Sequence, residues 1–208
     1  FGADISIDKQ VPWGAGMGGG SSDAASTLLA LNRLWGLGWS RERLMALGLS
    51  LGADVPFFIG GQNAFVEGVG EILTPLTLPQ QWLAVVKPAA GSETRAIFAS
   101  PLLARDHKAD TVAGFLVDAG IQKLLDGYGI NVMQPPAESE CPEVAKVARV
   151  LQERFGNSRM TGSGSAVFAR AGTGPQPLAS LPSELPEGWV GRMCRSLEEH
   201  PLRGWASD

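Results

Sequence analysis

Pro12-Trp13-Gly14-Ala15-Gly16-Met17-Gly18-Gly19-Gly20-Ser21-Ser22-Asp23 is the stretch on which the reading of this chain turns. Five glycines fall within seven positions, and the helix-forming run Ala24 to Leu34 comes directly after. A glycine costs up to about 1 kcal/mol of extra chain disorder, so five together need a reason. A glycine run that opens into a helix leaves several N–H groups unpaired and pointing the same way. They sit at the positive end of the helix dipole, worth about half a charge. Such a site suits a phosphate. Gly14 to Gly20 are therefore expected to cradle nucleotide phosphates, with Ser21 and Ser22 supplying hydroxyls at the helix start.

Other glycine loops fit less well. Gly14 to Gly19 match G-x-G-x-x-G as a string, but a dinucleotide site wants an acidic residue after a second strand some 20 residues on. Position 32 is Asn, and its surroundings still read as helix. A P-loop needs Gly-Lys-Ser/Thr, and no lysine comes after these glycines. The glycine loop of protein kinases joins two strands, unlike Ser21 to Leu34. The plainest alternative is a glycine-rich surface turn.

Composition narrows the class. At 208 residues the chain can form one large domain or two small ones. A net charge of −4 and no basic stripe argue against nucleic acid. No apolar run approaches the ~20 residues of a membrane helix, so no membrane partner is expected. Cys141 and Cys194 are too few for a disulfide framework and fit a reducing, cytoplasmic setting. His107 and His200 lie in polar stretches and read as solvated. The chain opens on Phe1, and Gly2 to Val11 already reads as the end of something, so a truncated start is expected, and any targeting peptide would lie upstream.

In order, Ile5 to Val11 alternates apolar and polar residues and predicts a strand ended by Pro12. Ala25, Leu28, Leu29, Asn32 and Trp35 predict the inner face of the first helix. Ser40 caps a second helix over 41–51, with Leu44, Leu47 and Leu51 on one side. Asp54 comes next, among apolar residues. It reads either as a turn aspartate held by amides or as a buried general base for phosphoryl transfer to a hydroxyl. Residues 63–67 and 71–75 predict a hairpin, whose Glu67 and Glu71 read as solvated edge residues rather than general acids. Pro75 and Pro79 bracket a domain change. A strand over 81–87, a short helix after Gly91, a helix over 112–126 and an irregular stretch over 129–140 come next. Pro142 to Phe155 predicts a helix with Val144, Val147, Ala148 and Leu151 inside. A second glycine-serine turn, Thr161-Gly-Ser-Gly-Ser165, leads into a strand and reads as a tight hairpin or as a backbone wall near the phosphate site. A proline-rich loop over 175–187 precedes a last strand over 189–195.

Three stretches, Pro12 to Asp23, Leu51 to Phe57 and Met160 to Phe168, together with Phe-Val-Glu-Gly-Val-Gly-Glu-Ile-Leu-Thr-Pro at 65–75, resemble the GHMP kinase superfamily of small-molecule kinases. The resemblance is dense over about residues 3–100 and returns at 140–170. It implies an α+β two-domain fold. Residues 1–75 would be part of a nucleotide-binding domain built like a small-subunit ribosomal protein, and 76–208 a ferredoxin-like domain. It implies ATP on Gly14 to Ser22, flanked by Pro12 and Trp13, with Ala15 and Met17 in the loop, Lys9 beside the adenine and Ser21 near Mg²⁺. It implies Asp54 as the catalytic aspartate, and Thr94 and Phe98 around the cytosine of a cytidylated methylerythritol, the acceptor favoured by the long glycine run and by Ala53-Asp-Val-Pro56. The alternatives are another acceptor, of the mevalonate or homoserine kind, and a nucleotide-binding remnant without turnover. Whether such a protein is a monomer or a homodimer stays open. The family's Pro-Ala-Lys-x-Asn and Gly-Tyr-His segments are not found, Asp126-Gly-Tyr128 resembles the latter only superficially, and Asn131-Val132 stands where Asn-Asp is usual.

Overall fold

A computed structural model describes residues 2–106, 122–123 and 129–208. The helix expected over 112–126 and His107 lie outside them, apart from Gln122 and Lys123, which are helical. The chain divides into two packed units. The first holds the stretch ending at Trp13, Gly18–Leu78 and Leu197–Asp208, and the second holds Gly14–Met17 and Pro79–Ser196. The division differs from a single cut near residue 75 because the C-terminal stretch packs in the first unit and half of the glycine loop in the second. Among the described residues no helix is long and apolar enough to cross a membrane.

The first unit is built on three helices: α1 (Gly19–Leu34), α2 (Arg41–Leu51) and α3 (Val55–Gly60). α1 starts five residues earlier than its alanines suggest, inside the glycines, on Gly18 at φ 65°. Ala25, Leu29 and Asn32 form its buried face. Asn32 is satisfied there: its amide donates to the Trp39 carbonyl at 3.1 Å and accepts from the Trp39 N–H at 3.0 Å, bracing the turn between α1 and α2. Ser40 caps α2 by accepting from the Arg43 N–H at 3.3 Å.

The inner face of α2 is not the expected one. Leu44 and Gly48 are buried, whereas Leu47 and Leu51 are exposed. The reason is α3: a Cβ on Gly48 would stand 2.8 Å from Ile59 and Val55, so the two helices touch across Gly48 and turn the leucine edge outward. Ala25, Leu29, Leu44, Val55 and Ile59 form one apolar cluster, and each large side chain in it contributes about 1.5–3 kcal/mol. Leu202, Trp205 and Ala206 pack on that cluster. Arg41 holds the C-terminal stretch: its guanidinium donates to the carbonyls of Ile59, Arg203 and Ala206, each at 2.8 Å, and to Asp208 at 2.6 Å. Asp208 is held below the usual carboxylate range by Arg41. His200, expected in solvent, is half-buried; its Nδ1 accepts from the Leu202 N–H at 3.2 Å, and burial lowers its pKa.

Strands β1 (Ala64–Glu67) and β2 (Ile72–Pro75) pair antiparallel as the expected hairpin. Glu71 is exposed, and its carboxylate accepts from the Val69 N–H at 2.7 Å. The strand expected over Ile5 to Val11 is absent: the segment makes no sheet pairing, and Ile5 and Ile7 are 57% and 56% exposed. A period-two pattern becomes a strand only where a neighbour takes its hydrogen bonds.

The second unit is a four-stranded antiparallel sheet in the order β4-β5-β3-β6, formed by Arg159–Met160, Val167–Arg170, Trp82–Lys87 and Val190–Arg195. Its covering helices are α4 (Thr94–Ala99), α5 (Gln134–Glu140) and α6 (Pro142–Phe155). α5 takes up 134–140 of the stretch expected to be irregular over 129–140, and 129–133 carry no helix or strand. Its prolines 135 and 136 fall in the first turn, where the missing N–H groups have no intrahelical partner to lose. α6 buries Val144, Val147, Ala148 and Leu151 as expected, against Ala84, Val86, Val167 and Ala169 of the sheet.

Candidate active site

The glycine loop has a back and a front. At its back, in the second unit, the carbonyls of Gly14 and Ala15 accept from the N–H groups of Ser165 and Ala166, both at 3.1 Å. The Gly16 carbonyl accepts from the Thr161 hydroxyl at 3.0 Å. Gly16, at φ 67°, lies so close to this second turn that a Cβ there would stand 2.2 Å from the Thr161 carbonyl oxygen. Ala15 is buried between them. Thr161 reads in the sequence only as part of a tight hairpin or a backbone wall; the signal for its further role is a hydroxyl side chain in a glycine turn.

At the front, in the first unit, Gly18 starts α1, and Ser22 is the first residue whose N–H is taken within the helix, by the Gly18 carbonyl at 2.9 Å. The N–H groups of Gly19, Gly20 and Ser21 precede it and have no intrahelical acceptor. Lys9 forms an ion pair with Asp23, and its amino group stands 5.4 Å over the Trp13 ring. The same amino group is 3.4 Å from where a Cβ on Gly19 would be, so a cation lies at the helix start. Trp13 is 81% exposed. Pro12 and Met17 are partly covered and add no polar group to the front.

Asp54 precedes α3 and is exposed, not buried as expected, and its carboxylate caps nothing. The turn-aspartate reading therefore has no hydrogen bond behind it. Asp54 Oδ2 lies 4.0 Å from the position of a Gly18 Cβ, which sets the carboxylate beside the start of α1. Ser21 Oγ lies 3.8 Å from the position of a Gly52 Cβ, two residues before Asp54. The support behind Asp54 has no local signature in the chain. A Cβ on Gly70, at φ 124° in the hairpin turn, would stand 2.0 Å from the Ala53 carbonyl oxygen. Only a glycine lets that turn lie against the peptide leading into Asp54.

Thr94 opens α4 in the second unit, and its hydroxyl is 2.9 Å from that of Ser163. Phe98 is 53% exposed, one turn further on. It is therefore not the core side chain of a short helix; Ile97 fills that role. Apart from these groups, the first unit carries an open groove of about 960 Å³ lined by Ile5, Ile7, Ala30, Leu34 and Trp205. It is also lined by Asp4, Asp8, Asp23 and Arg33, and includes neither the loop glycines nor Asp54.

A glycine loop with open donors at a helix start, a carboxylate beside it and a separate sheet domain define a small-molecule kinase architecture. Family models agree: residues 1–62 match the GHMP kinases N terminal domain and residues 118–185 the GHMP kinases C terminal. The chain belongs to the GHMP kinase family, a family of ATP-dependent enzymes with α+β folds.

Within it the chain is similar to the 4-diphosphocytidyl-2-C-methyl-D-erythritol kinases. It is 61% identical to the one from Methylibium petroleiphilum, over 99% of this chain and 70% of that protein. It is 52% identical to the one from Paracidovorax citrulli, over 100% of this chain and 70% of that protein. The crystal structure of a 4-(cytidine 5'-diphospho)-2C-methyl-D-erythritol kinase matches with a TM-score of 0.63 and 38% identity, covering 77% of this chain and 59% of that one.

Proposed function

We propose that the chain carries the phosphoryl-transfer site of a 4-diphosphocytidyl-2-C-methyl-D-erythritol kinase, acting in isoprenoid precursor synthesis. Its relatives of that name, at up to 61% identity, support the reading. The observation that carries the assignment of the site is the start of α1, with three backbone donors, the Lys9 cation and the Asp54 carboxylate around it. ATP lays its phosphates on Gly14 to Ser22, where N–H groups and the helix dipole balance their charge. Pro12, Trp13 and Lys9 flank the nucleotide. The 2-hydroxyl of the acceptor attacks the γ-phosphorus; a new P–O bond forms, the bond to the β-phosphate oxygen breaks, and ADP leaves. Asp54 orients that hydroxyl and accepts its proton. Phosphoryl transfer is mostly positioning and charge stabilisation, so the placement of Asp54 matters more than its basicity.

Thr94 and Phe98 hold the cytidine end of the acceptor. An exposed ring on a short helix offers a stacking face, worth about 1–3 kcal/mol per base. A magnesium ion fits the donor set. Such an ion takes one or two protein oxygens and completes its shell with phosphates and water, and the Ser21 hydroxyl at the start of α1 would be one such donor. Bound with ATP, it would neutralise charge on the transferring phosphoryl. The acceptor is a small soluble molecule, and a cytoplasmic site of action fits the composition.

Asp54→Asn tests the assignment. Turnover should fall by about 10²–10⁴-fold, the usual worth of a general base, while the ATP dissociation constant measured by titration stays within about twofold. Retained turnover would remove Asp54 from the mechanism. Acceptor identity is tested by assaying ADP release with the cytidylated methylerythritol and with mevalonate. Turnover on the second alone would overturn the reading.

A further inference from the structure

The turn Thr161 to Ala166 bonds to more than the glycine loop. Its other side meets the segment leading into α4 through three hydrogen bonds made by four hydroxyls. Ser165, fully buried, donates to the Ala90 carbonyl at 3.0 Å. Ser92 donates to the Ser163 carbonyl at 3.2 Å. The Thr94 and Ser163 hydroxyls meet at 2.9 Å. The first two tie side chains to main chain and hold the backbone. The third joins two side chains, and one of them is the first residue of α4.

We propose that Ser163 is a positioning residue for the acceptor substrate, acting through Thr94. The inference rests on the reading that Thr94 and Phe98 form the acceptor pocket, and it adds a residue that this reading does not include. A threonine hydroxyl has one donor and two acceptor sites and rotates freely unless a partner fixes it. Thr94 is exposed, and Ser163 is its hydrogen-bond partner. With that bond made, the Thr94 hydroxyl points one way and keeps lone-pair capacity for one more group. Without it, threonine divides between two rotamers in a helix, and binding would have to select one. Ser163 sits in the turn that also holds the carbonyls of Gly14, Ala15 and Gly16. Its hydroxyl makes none of those loop contacts, so its loss should be felt on the acceptor side alone.

The experiment is steady-state kinetics with both substrates on Ser163→Ala, Thr94→Val, their double variant and Ser163→Thr. Ser163→Ala should raise the KM for the cytidylated acceptor by about three- to tenfold, the effect of one lost neutral hydrogen bond. The KM for ATP should stay within about twofold. Ser163→Thr, which keeps the hydroxyl, should recover most of the loss. The double variant should be no worse than Thr94→Val alone, because the two groups act as one unit.

Four results would overturn the inference and leave the pocket reading standing: an unchanged acceptor KM in Ser163→Ala while Thr94→Val raises it; losses that multiply in the double variant; a parallel rise in both KM values; or a Ser163→Ala protein that does not fold, which would make the hydroxyl a structural prop. An unchanged acceptor KM in Thr94→Val would overturn the pocket reading, and the inference with it.

Discussion

Two glycine turns of similar composition do opposite things in this molecule. Gly14 to Gly20 gives its carbonyls to a neighbour and keeps N–H groups open at the start of α1. Thr161 to Ala166 uses its groups on protein partners: Thr161 N–H on the Ala166 carbonyl, Gly164 N–H on the Thr161 carbonyl, and Ser165 and Ala166 N–H on the glycine loop. The element that each turn leads into decides the difference. The first opens into a helix, whose first N–H groups have no intrahelical acceptor. The second joins β4 to β5, paired through Met160 and Val167, so its ends are already closed. Open donors suit the first turn to a ligand; the closed bonds of the second hold the carbonyls of Gly14, Ala15 and Gly16.

The sharpest way to break this comparison is at Gly16. A Cβ there would stand 2.2 Å from the Thr161 oxygen and 2.7 Å from the Gly164 nitrogen, and φ 67° disfavours any side chain. Gly16→Ala must push the two turns apart, and a displacement of about 1 Å at such a site can cost 10²-fold. Turnover should fall by about that factor, and ATP affinity should fall with it, by calorimetric titration. Gly20→Ala is the control. Nothing lies within 4 Å of its Cβ, and it sits inside α1. It should lower ATP affinity less than Gly16→Ala does and raise stability by about 0.5–1 kcal/mol. Equal losses in both variants would mean that glycine content, and not contact with the second turn, shapes the loop.

Much of this contrast was legible in the sequence, and the failures have a common cause. The glycine run before Ser21, the Ser40 cap and the inner face of α6 are local patterns, and local hydrogen bonding and periodicity fix them. Ile5 to Val11 misled because a strand needs a partner, which a period-two pattern cannot supply. Leu47 and Leu51 misled because the packing axis of α2 runs through Gly48, set by Ile59 eleven residues away. Residues 134–140 were hidden by prolines that read as breakers but fall in a first turn. Asp54 stands out for its chemistry but was expected in the interior, whereas it is exposed beside Gly18. Gly70 behind Ala53 and Ser163 behind Thr94 are contacts between distant segments and left no local trace.

A smaller effect is expected from loosening the second turn without touching the first. The Asn131 amide donates to the carbonyls of Met160 and Gly162, each at 2.8 Å, and accepts from the Met133 N–H at 3.0 Å. Asn131→Ala strands these backbone groups, at a cost of about 1–3 kcal/mol. For a chain of this size that is a fall in Tm of about 2–12 °C. If the turn is a template, the loss should appear in thermal melting, while ATP affinity changes less than in Gly16→Ala. The reverse order would make Asn131 part of the nucleotide site.

The smallest effect concerns the charge at the front of the first turn. Lys9 is paired with Asp23, at 22% and 35% side-chain exposure, and a pair so open to water is worth only about 0.2–1 kcal/mol. Asp23→Asn should therefore barely change stability. It removes a negative charge near the start of α1 and frees the Lys9 amino group close to Gly19. Both changes favour a bound polyphosphate, so ATP should bind up to about fivefold tighter at low salt. The gain should shrink as the screening length falls from about 30 Å at 0.01 M to about 8 Å at 0.15 M. Weaker binding in Asp23→Asn would show that the carboxylate aims Lys9 at the phosphates rather than competing with them for it.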